Sequence, residues 1–134
     1  MIIYCDGGSR GNPGNSASSF VVTSNEKVIY KESKFLGVNT NNYAEYTAVI
    51  MATEWIVKNK VKDCVTVNLD SQLVERQLNG IYKVKSDTLI NLFNYVKKTI
   101  NDNKLLIKFV WGYREKNKLA DSLVNEELDK HESR

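Results

Sequence analysis

Residues 1–14 read MIIYCDGGSRGNPG. Met1 to Cys5 are apolar and run straight into Asp6, Gly7 and Gly8, then into Gly11-Asn12-Pro13-Gly14. The stretch predicts a buried first strand over about 1–7 that ends on a carboxylate and turns sharply. An acid at the last buried position of a core strand is costly unless a metal or a hydrogen-bond donor uses it. Asp before Gly also starts turns by bonding its own backbone, so this stretch alone leaves Asp6 between a turn former and a functional acid.

The same design recurs at 63–78, DCVTVNLDSQLVERQL. Val65 to Leu69 form a β-branched core strand that ends on Asp70, and Asp70-Ser71 passes directly into an amphipathic segment carrying Leu73, Val74 and Leu78. Between these two strands lie a β-hairpin and a helix. Strands are expected at about 17–23 and 27–36, with Ser24-Asn25-Glu26 as their turn, and the small residues at 16–19 leave room beside the glycine loop. The segment NNYAEYTAVIMATEWIVKNK is the clearest helix: Asn42 fits its N-cap, Glu45 fits the reciprocal capping position, and Ala44, Thr47, Ala48, Met51, Ala52 and Trp55 recur at helical spacing. Glu45 is thereby fixed in a first turn, as a cap or as a third functional acid.

Downstream, Asn79-Gly80 ends a helix and IYKVKS is a basic connector. A helix from about Ser86 turns Leu89, Leu92, Phe93, Val96 and Ile100 inward, and Asn101-Asp102-Asn103 is a turn. KLLIKFVWGY is a fifth strand. REKNKLADSLVNEELDK is a last helix with Ala120, Leu123, Val124 and Leu128 on its apolar side and Asp121 in its first turns. The order β-β-β-α-β-α-α-β-α predicts an α/β fold with a five-stranded mixed sheet, three antiparallel strands then two parallel, and helices on both faces. Length fits one domain, 1–134.

Sites in open α/β sheets form beyond the carboxyl ends of the strands. Asp6 and Asp70 are neighbours there if the first and fourth strands pair in parallel, Glu45 enters from the preceding helix, and Asp121 from the last one. Clustered carboxylates are unstable as bare anions, and hard oxygen ligands favour Mg²⁺ or Mn²⁺. Two such ions about 3.5–4 Å apart are the standard apparatus for in-line phosphodiester cleavage.

Composition narrows the alternatives. His131 is the sole histidine, which excludes three-histidine zinc sites, His-base triads and HExxH. Cys5 and Cys64 match no zinc or disulfide pattern and read as buried structural thiols. With 42% hydrophobic and 26% charged residues, and no apolar run near the about 18 residues of a membrane span, a cytoplasmic, soluble protein is expected. From Arg76 to Lys118 there are ten Lys/Arg and three Asp/Glu, a local +7 that is either a solvated face or a surface for a polyanion.

The chain resembles a type 1 ribonuclease H of the compact archaeal and bacterial kind. The resemblance rests on YCDGGSRGNPG, TNNYAEYTAVIMA, NLDSQLVERQLNGIYKVKS and REKNKLADSLVN, which span nearly the whole chain in the family's order. It implies a ribonuclease H-like fold and endonucleolytic cutting of the RNA strand of RNA–DNA hybrids, leaving 5′-phosphate and 3′-hydroxyl ends. It also implies two Mg²⁺ ions, or Mn²⁺ in their place, on Asp6, Glu45, Asp70 and Asp121. Asn12 and Asn41 match residues that contact the RNA strand in the minor groove, and Thr40 matches one that helps hold a DNA-strand phosphate. Asn42 lies in the same substrate-facing stretch. Polar groups at Gly11-Asn12 and Asn41-Asn42 suit a shallow minor groove lined with 2′-hydroxyls, while Lys83, Lys85, Lys116 and Lys118 supply attraction without sequence preference.

Two features depart from the family pattern. Trp111 stands where many members have a flexible histidine, and His131 is too far along the last helix to replace it. The connection from Gly80 through Lys83 and Lys85 to Ser86 leaves no room for the basic protrusion of longer members. Two other functions compete: a catalytically weak module that binds RNA–DNA hybrids or double-stranded RNA, and an exonuclease or strand transferase of the same broad fold. Nothing in the chain resembles a dimerisation heptad, and a monomer is expected.

Overall fold

The computed structural model describes residues 1–112 and 114–132. One sheet holds β1 (Ile2–Arg10), β2 (Gly14–Ser24), β3 (Lys27–Asn39), β4 (Val65–Leu69) and β5 (Ile107–Trp111) in the order β3-β2-β1-β4-β5. The β1–β2 and β2–β3 pairs are antiparallel, and the two pairs made through helical crossovers, β1–β4 and β4–β5, are parallel. The helices are α1 (Asn41–Lys58), α2 (Gln72–Leu78), α3 (Asp87–Asp102) and α4 (Lys118–Glu132), the last entered through a 3-10 turn at Arg114–Asn117. Tyr113, expected to close the fifth strand, lies outside the described residues, as do the side chains of Arg114 and Lys116. No helix among the described residues is long and apolar enough to cross a membrane.

Side-chain alternation sorts the layers. Ile3, Cys5, Phe20, Val22, Val65, Val67 and Leu69 face one way and form the main core with α1, α2 and α3. Tyr4, Val21 and Ala17 face the other way, against Ala120, Val124 and Leu128 of α4. The small residues of β2 let helices approach from both sides: Ser18 Oγ donates to the Ala44 carbonyl of α1 and Ser19 Oγ to the Ala120 carbonyl of α4, each at 2.6 Å. Because α1 is wedged between the sheet and α3, Tyr46, Val49, Thr53 and Ile56 are buried along with the expected Ala44, Ala48, Met51 and Ala52. Thr47 and Trp55 are only partly so. Asn25 and Glu26, at φ 52° and 64°, make the two-residue turn between β2 and β3, whose backbone twist suits a hairpin.

Three local expectations are corrected. First, β1 does not end at Asp6. It pairs with β2 as far as Arg10↔Asn15, while its pairing with β4 stops at Cys5↔Leu69, so Asp6 lies mid-strand on one side and at an open edge on the other. Second, the cap of α1 is Thr40, whose Oγ1 accepts from the Tyr43 N–H, and Asn42 is already helical. A β-branched hydroxyl residue after an extended strand serves as a cap as readily as Asn does, so Glu45 is not part of a capping box. Third, Cys64 precedes β4 and is exposed, whereas Cys5 is fully buried.

The thiols provide a test of this register. Cys5 pairs with Leu69, five residues beyond Cys64, which puts the two cysteines about 16 Å apart along the strands, too far to bridge. In the native protein one thiol, Cys64, is expected to react with Ellman's reagent. Cys5 should join it only on unfolding, because burial first, and then the charges of Glu45 and Asp6, push its thiol well above the ordinary range. An intramolecular disulfide seen by mass spectrometry would contradict the β1–β4 pairing.

Candidate active site

Three of the four expected acids converge. Asp6 comes from β1, Asp70 from the turn after β4, and Glu45 from the second turn of α1, and each offers a carboxylate oxygen such that all three lie within 4.8 Å of one another. Local structure explains the meeting. Asp6 follows Cys5 and Asp70 follows Leu69, which are paired, so the two acids are level and on the same sheet face. Glu45 reaches them because Gly7 has no side chain: a Cβ there would overlap the Ala44 carbonyl and the Glu45 amide nitrogen. Ser71 caps α2 through its Oγ, which accepts from the Val74 N–H, so the chain turns away immediately after Asp70.

Asp6 is 4% exposed and Glu45 6%, so their charges are poorly solvated. Burial, then the charges of Asp70 and Asp121 and a hydrogen bond to Asp121, lifts the Asp6 carboxyl to about 8, although the Gly7 N–H donates to its Oδ1 at 2.9 Å. Glu45 is pushed well above the usual carboxylate range, again by burial first and then by Asp6 and Asp70. Its Oε2 is buried with no hydrogen-bond partner among the described residues. An all-carboxylate donor set with repelling charges and an orphaned oxygen fits a hard divalent cation. Cys5 does not compete, because its Sγ lies 3.7 Å from the Ala48 carbonyl, within the core.

Asp121 joins from the first turn of α4. It is exposed, within hydrogen-bonding reach of Asp6, and lines a cleft of about 250 Å³ with Asp70, Asn117 and Lys118. Sequence reasoning passed over Asn117 and Asn68, both buried and each with an Oδ1 that has no partner among the described residues. The signal was present: Asn117 is four residues before Asp121, hence on the same helical face, and Asn68 is two before Asp70, hence on the same sheet face.

The expected nucleic-acid residues form a second constellation beside the acids. Asn41 Oδ1 accepts from the Ser9 N–H at 2.8 Å and from Ser9 Oγ at 3.2 Å, and Asn12 Oδ1 accepts from the Asn41 N–H at 3.1 Å. This ties the β1–β2 turn, where Gly11 adopts φ +93°, to the start of α1. Both amide nitrogens carry no hydrogen bond among the described residues and remain as donors. Thr40 and Asn42 line a groove of about 470 Å³ with Asn12, Ser86 and Thr88. Lys83 and Lys85 are exposed in the connector that leads to Ser86.

Comparison with known proteins places this geometry. A family described as reverse transcriptase-like matches residues 4–127. The crystal structure of LC11-RNase H1 in complex with RNA/DNA hybrid superposes with a TM-score of 0.91 and 41% identity over 96% of both chains. The chain belongs to the type 1 ribonuclease H family. Among curated relatives, ribonuclease HI of Halobacterium salinarum is 38% identical over 132 residues, covering 94% of this chain and 63% of that protein. Bifunctional protein Rv2228c of Mycobacterium tuberculosis is 35% identical over 131 residues, 96% of this chain and 35% of that protein. The chain thus spans about a third of the mycobacterial relative and just under two thirds of the halobacterial one. The link from α2 to α3, residues 79–86, is a short connector with no helix of its own.

Proposed function

We propose that residues 1–134 are a single catalytic domain that hydrolyses the RNA strand of RNA–DNA hybrids endonucleolytically. The observation that carries this reading is the convergence of Asp6, Glu45 and Asp70 in a chain so similar to a ribonuclease H1 solved on a hybrid. Asp6, Glu45, Asp70 and Asp121 would hold Mg²⁺, or Mn²⁺ in its place, as a pair. Held there, the ions would supply water activation at neutral pH and charge neutralisation at the leaving 3′ oxygen, a chemistry that would leave 5′-phosphate and 3′-hydroxyl ends.

The chain's own groups do the remainder. Asp6 and Glu45, whose carboxyls burial raises, would have to give up protons to hold the cations, which would couple loading to pH. The Asn12 and Asn41 amides donate to the RNA strand's minor-groove edge and 2′-hydroxyls, and the Asn41–Ser9 bonds fix them relative to the acids. Thr40 and Asn42 offer donors to a phosphate of the DNA strand in the groove shared with Ser86. Contacts with sugar and phosphate carry no base readout, so cleavage is broadly sequence-tolerant.

An internally labelled hybrid with blocked ends, an RNA duplex and a DNA duplex, each with Mg²⁺, Mn²⁺ or EDTA, test the reading. Internal cuts in the RNA of the hybrid with either metal are expected, with EDTA abolishing them and the DNA duplex intact. Binding without cutting would turn the assignment to a hybrid- or duplex-RNA-binding module, and no cuts with blocked ends would turn it to an exonuclease.

Hybrid affinity should be modest and salt-dependent. Of the ten basic residues in 76–118, Arg76 pairs with Glu75, Lys98 with Asp102, and Lys97 caps the Leu78 carbonyl of α2, so the local +7 is partly spent within the fold. The logarithm of the binding constant should fall with the logarithm of salt with a slope corresponding to about three to six phosphates. A slope near zero would show that Lys83, Lys85 and their neighbours are only a solvated face.

A further inference from the structure

Two donors, one at the end of β5 and one just before α4, hold the backbone beside Asp6 and Asp70. Trp111, the last residue of β5, donates from its indole Nε1 to the Asp70 carbonyl at 3.2 Å. Asn117, the last residue of the 3-10 turn, donates from Nδ2 to the Cys5 carbonyl at 3.4 Å, and that carbonyl belongs to the peptide leading into Asp6. These bonds fall where the sheet stops doing the work. The β1–β4 ladder ends at Cys5↔Leu69, β1 continues with β2 alone, and β4 turns off through Ser71 into α2, so the two chains part at the level of their acids.

We propose that Trp111 and Asn117 are positioning residues that set the spacing of the Asp6 and Asp70 carboxylates for cation binding, acting through the backbone and touching neither cation nor hybrid. This rests on the reading of the acid cluster as a cation site. Three features favour positioning over simple packing. Trp111 is 38% exposed, so much of its ring contributes nothing to the core. Asn117 is 3% exposed and its Oδ1 has no partner among the described residues, a cost that an aliphatic residue would avoid, so what it offers the site is the Nδ2 bond. Both bonds converge on one gap, from one connection, with one acid on each side. A cation site tolerates only about half an ångström of error in its ligands, so backbone drift here is felt directly.

The test compares the wild type with Trp111→Phe, which keeps an aromatic ring and deletes the donor, and Asn117→Leu, which keeps the volume and deletes both the donor and the unpaired oxygen. Three readouts are taken: a Mn²⁺ isotherm by calorimetry without nucleic acid, the metal-free melting temperature, and kcat and KM on a hybrid. Expected are Mn²⁺ affinity and kcat each reduced about 10-fold, KM for the hybrid within about twofold, and melting temperatures near that of the wild type. Folded variants with wild-type Mn²⁺ affinity would overturn the proposal, as would a Trp111→Phe defect confined to KM, which would make the ring a hybrid contact. If Trp111→Phe fails to fold, benzothienylalanine at position 111, an isostere with sulfur in place of N–H, is judged by the same criteria. The wild type separates the two levels of inference: a wild type that binds Mn²⁺ but leaves the hybrid uncut sinks the ribonuclease reading, while the isotherms still decide the positioning one.

Discussion

The Asp6→Asn and Asp70→Asn proteins should lose hybrid cleavage by a factor on the order of 10³ while melting, in metal-free buffer, at the same temperature as the wild type or higher. The activity loss follows from removing a charged ligand from a cluster whose oxygens all lie within 4.8 Å of one another. The stability gain follows from electrostatics. Asp6 has its carboxyl lifted from an ordinary 3.8 to about 8, by burial first and then by Asp70 and Asp121. Between those values the folded protein retains a proton that the unfolded chain has lost, so folding takes up protons and metal-free stability falls as pH rises from about 4 to about 8. Asparagine at position 6 removes this liability, and its advantage over the wild type should grow across that window. Added Mn²⁺ reverses the order, because a cation that binds the folded wild type stabilises it by mass action and gives the variant little. Melting curves at pH 5 and pH 8, with EDTA and with Mn²⁺, check the crossing. Near-wild-type cleavage by either variant would remove the acids from the chemistry.

The acids stand out in the sequence because Asp6 and Asp70 follow apolar runs and Glu45 and Asp121 fall near the starts of amphipathic helical segments. Asp6 and Asp70 each follow a β-branched or apolar run, and the helical crossover after β3 makes the first and fourth strands parallel, but their being neighbours is set by the β1–β4 ladder, which the crossover alone does not dictate. What could not be read was which partner strand ends where. Glycines after Asp6 suggested a loop, yet β1 continues to Arg10 because β2 supplies a hydrogen-bonding partner throughout, and only tertiary pairing reveals that. The cap of α1 was misplaced by two residues because Thr40, Asn41 and Asn42 are all competent caps, and the choice is made by where β3 stops, at Asn39. Trp111 was identified from its position, but its bond to the Asp70 carbonyl depends on the Leu69↔Trp111 register, which no spacing within one strand encodes.

Gly7→Ala should damage both stability and cleavage, and Gly8→Ala, one residue away, should be nearly silent. Neither glycine adopts a positive φ, so alanine suits the backbone at both, and only space distinguishes them. At Gly8 an added Cβ would sit 3.7 Å from Val124 Cγ1, an ordinary contact. At Gly7 it would overlap the backbone of Ala44 and Glu45, rigid atoms in a helix that is itself held by the Ser18 hydroxyl and packed against α3. The helix must retreat from the sheet, opening the core beneath Ala44 and Ala48, and the cost of such overpacking is about 3 kcal/mol, or roughly 10 °C in melting temperature for a domain of this size. Glu45 retreats with it. A displacement of about 1 Å in a reacting constellation costs on the order of 100-fold, so cleavage by Gly7→Ala should fall that far even at temperatures where the variant is fully folded. Mn²⁺ affinity should fall in parallel, whereas Gly8→Ala should keep both. If Gly7→Ala melts with Gly8→Ala and cleaves normally, α1 does not approach β1 as closely as the Glu45 placement requires.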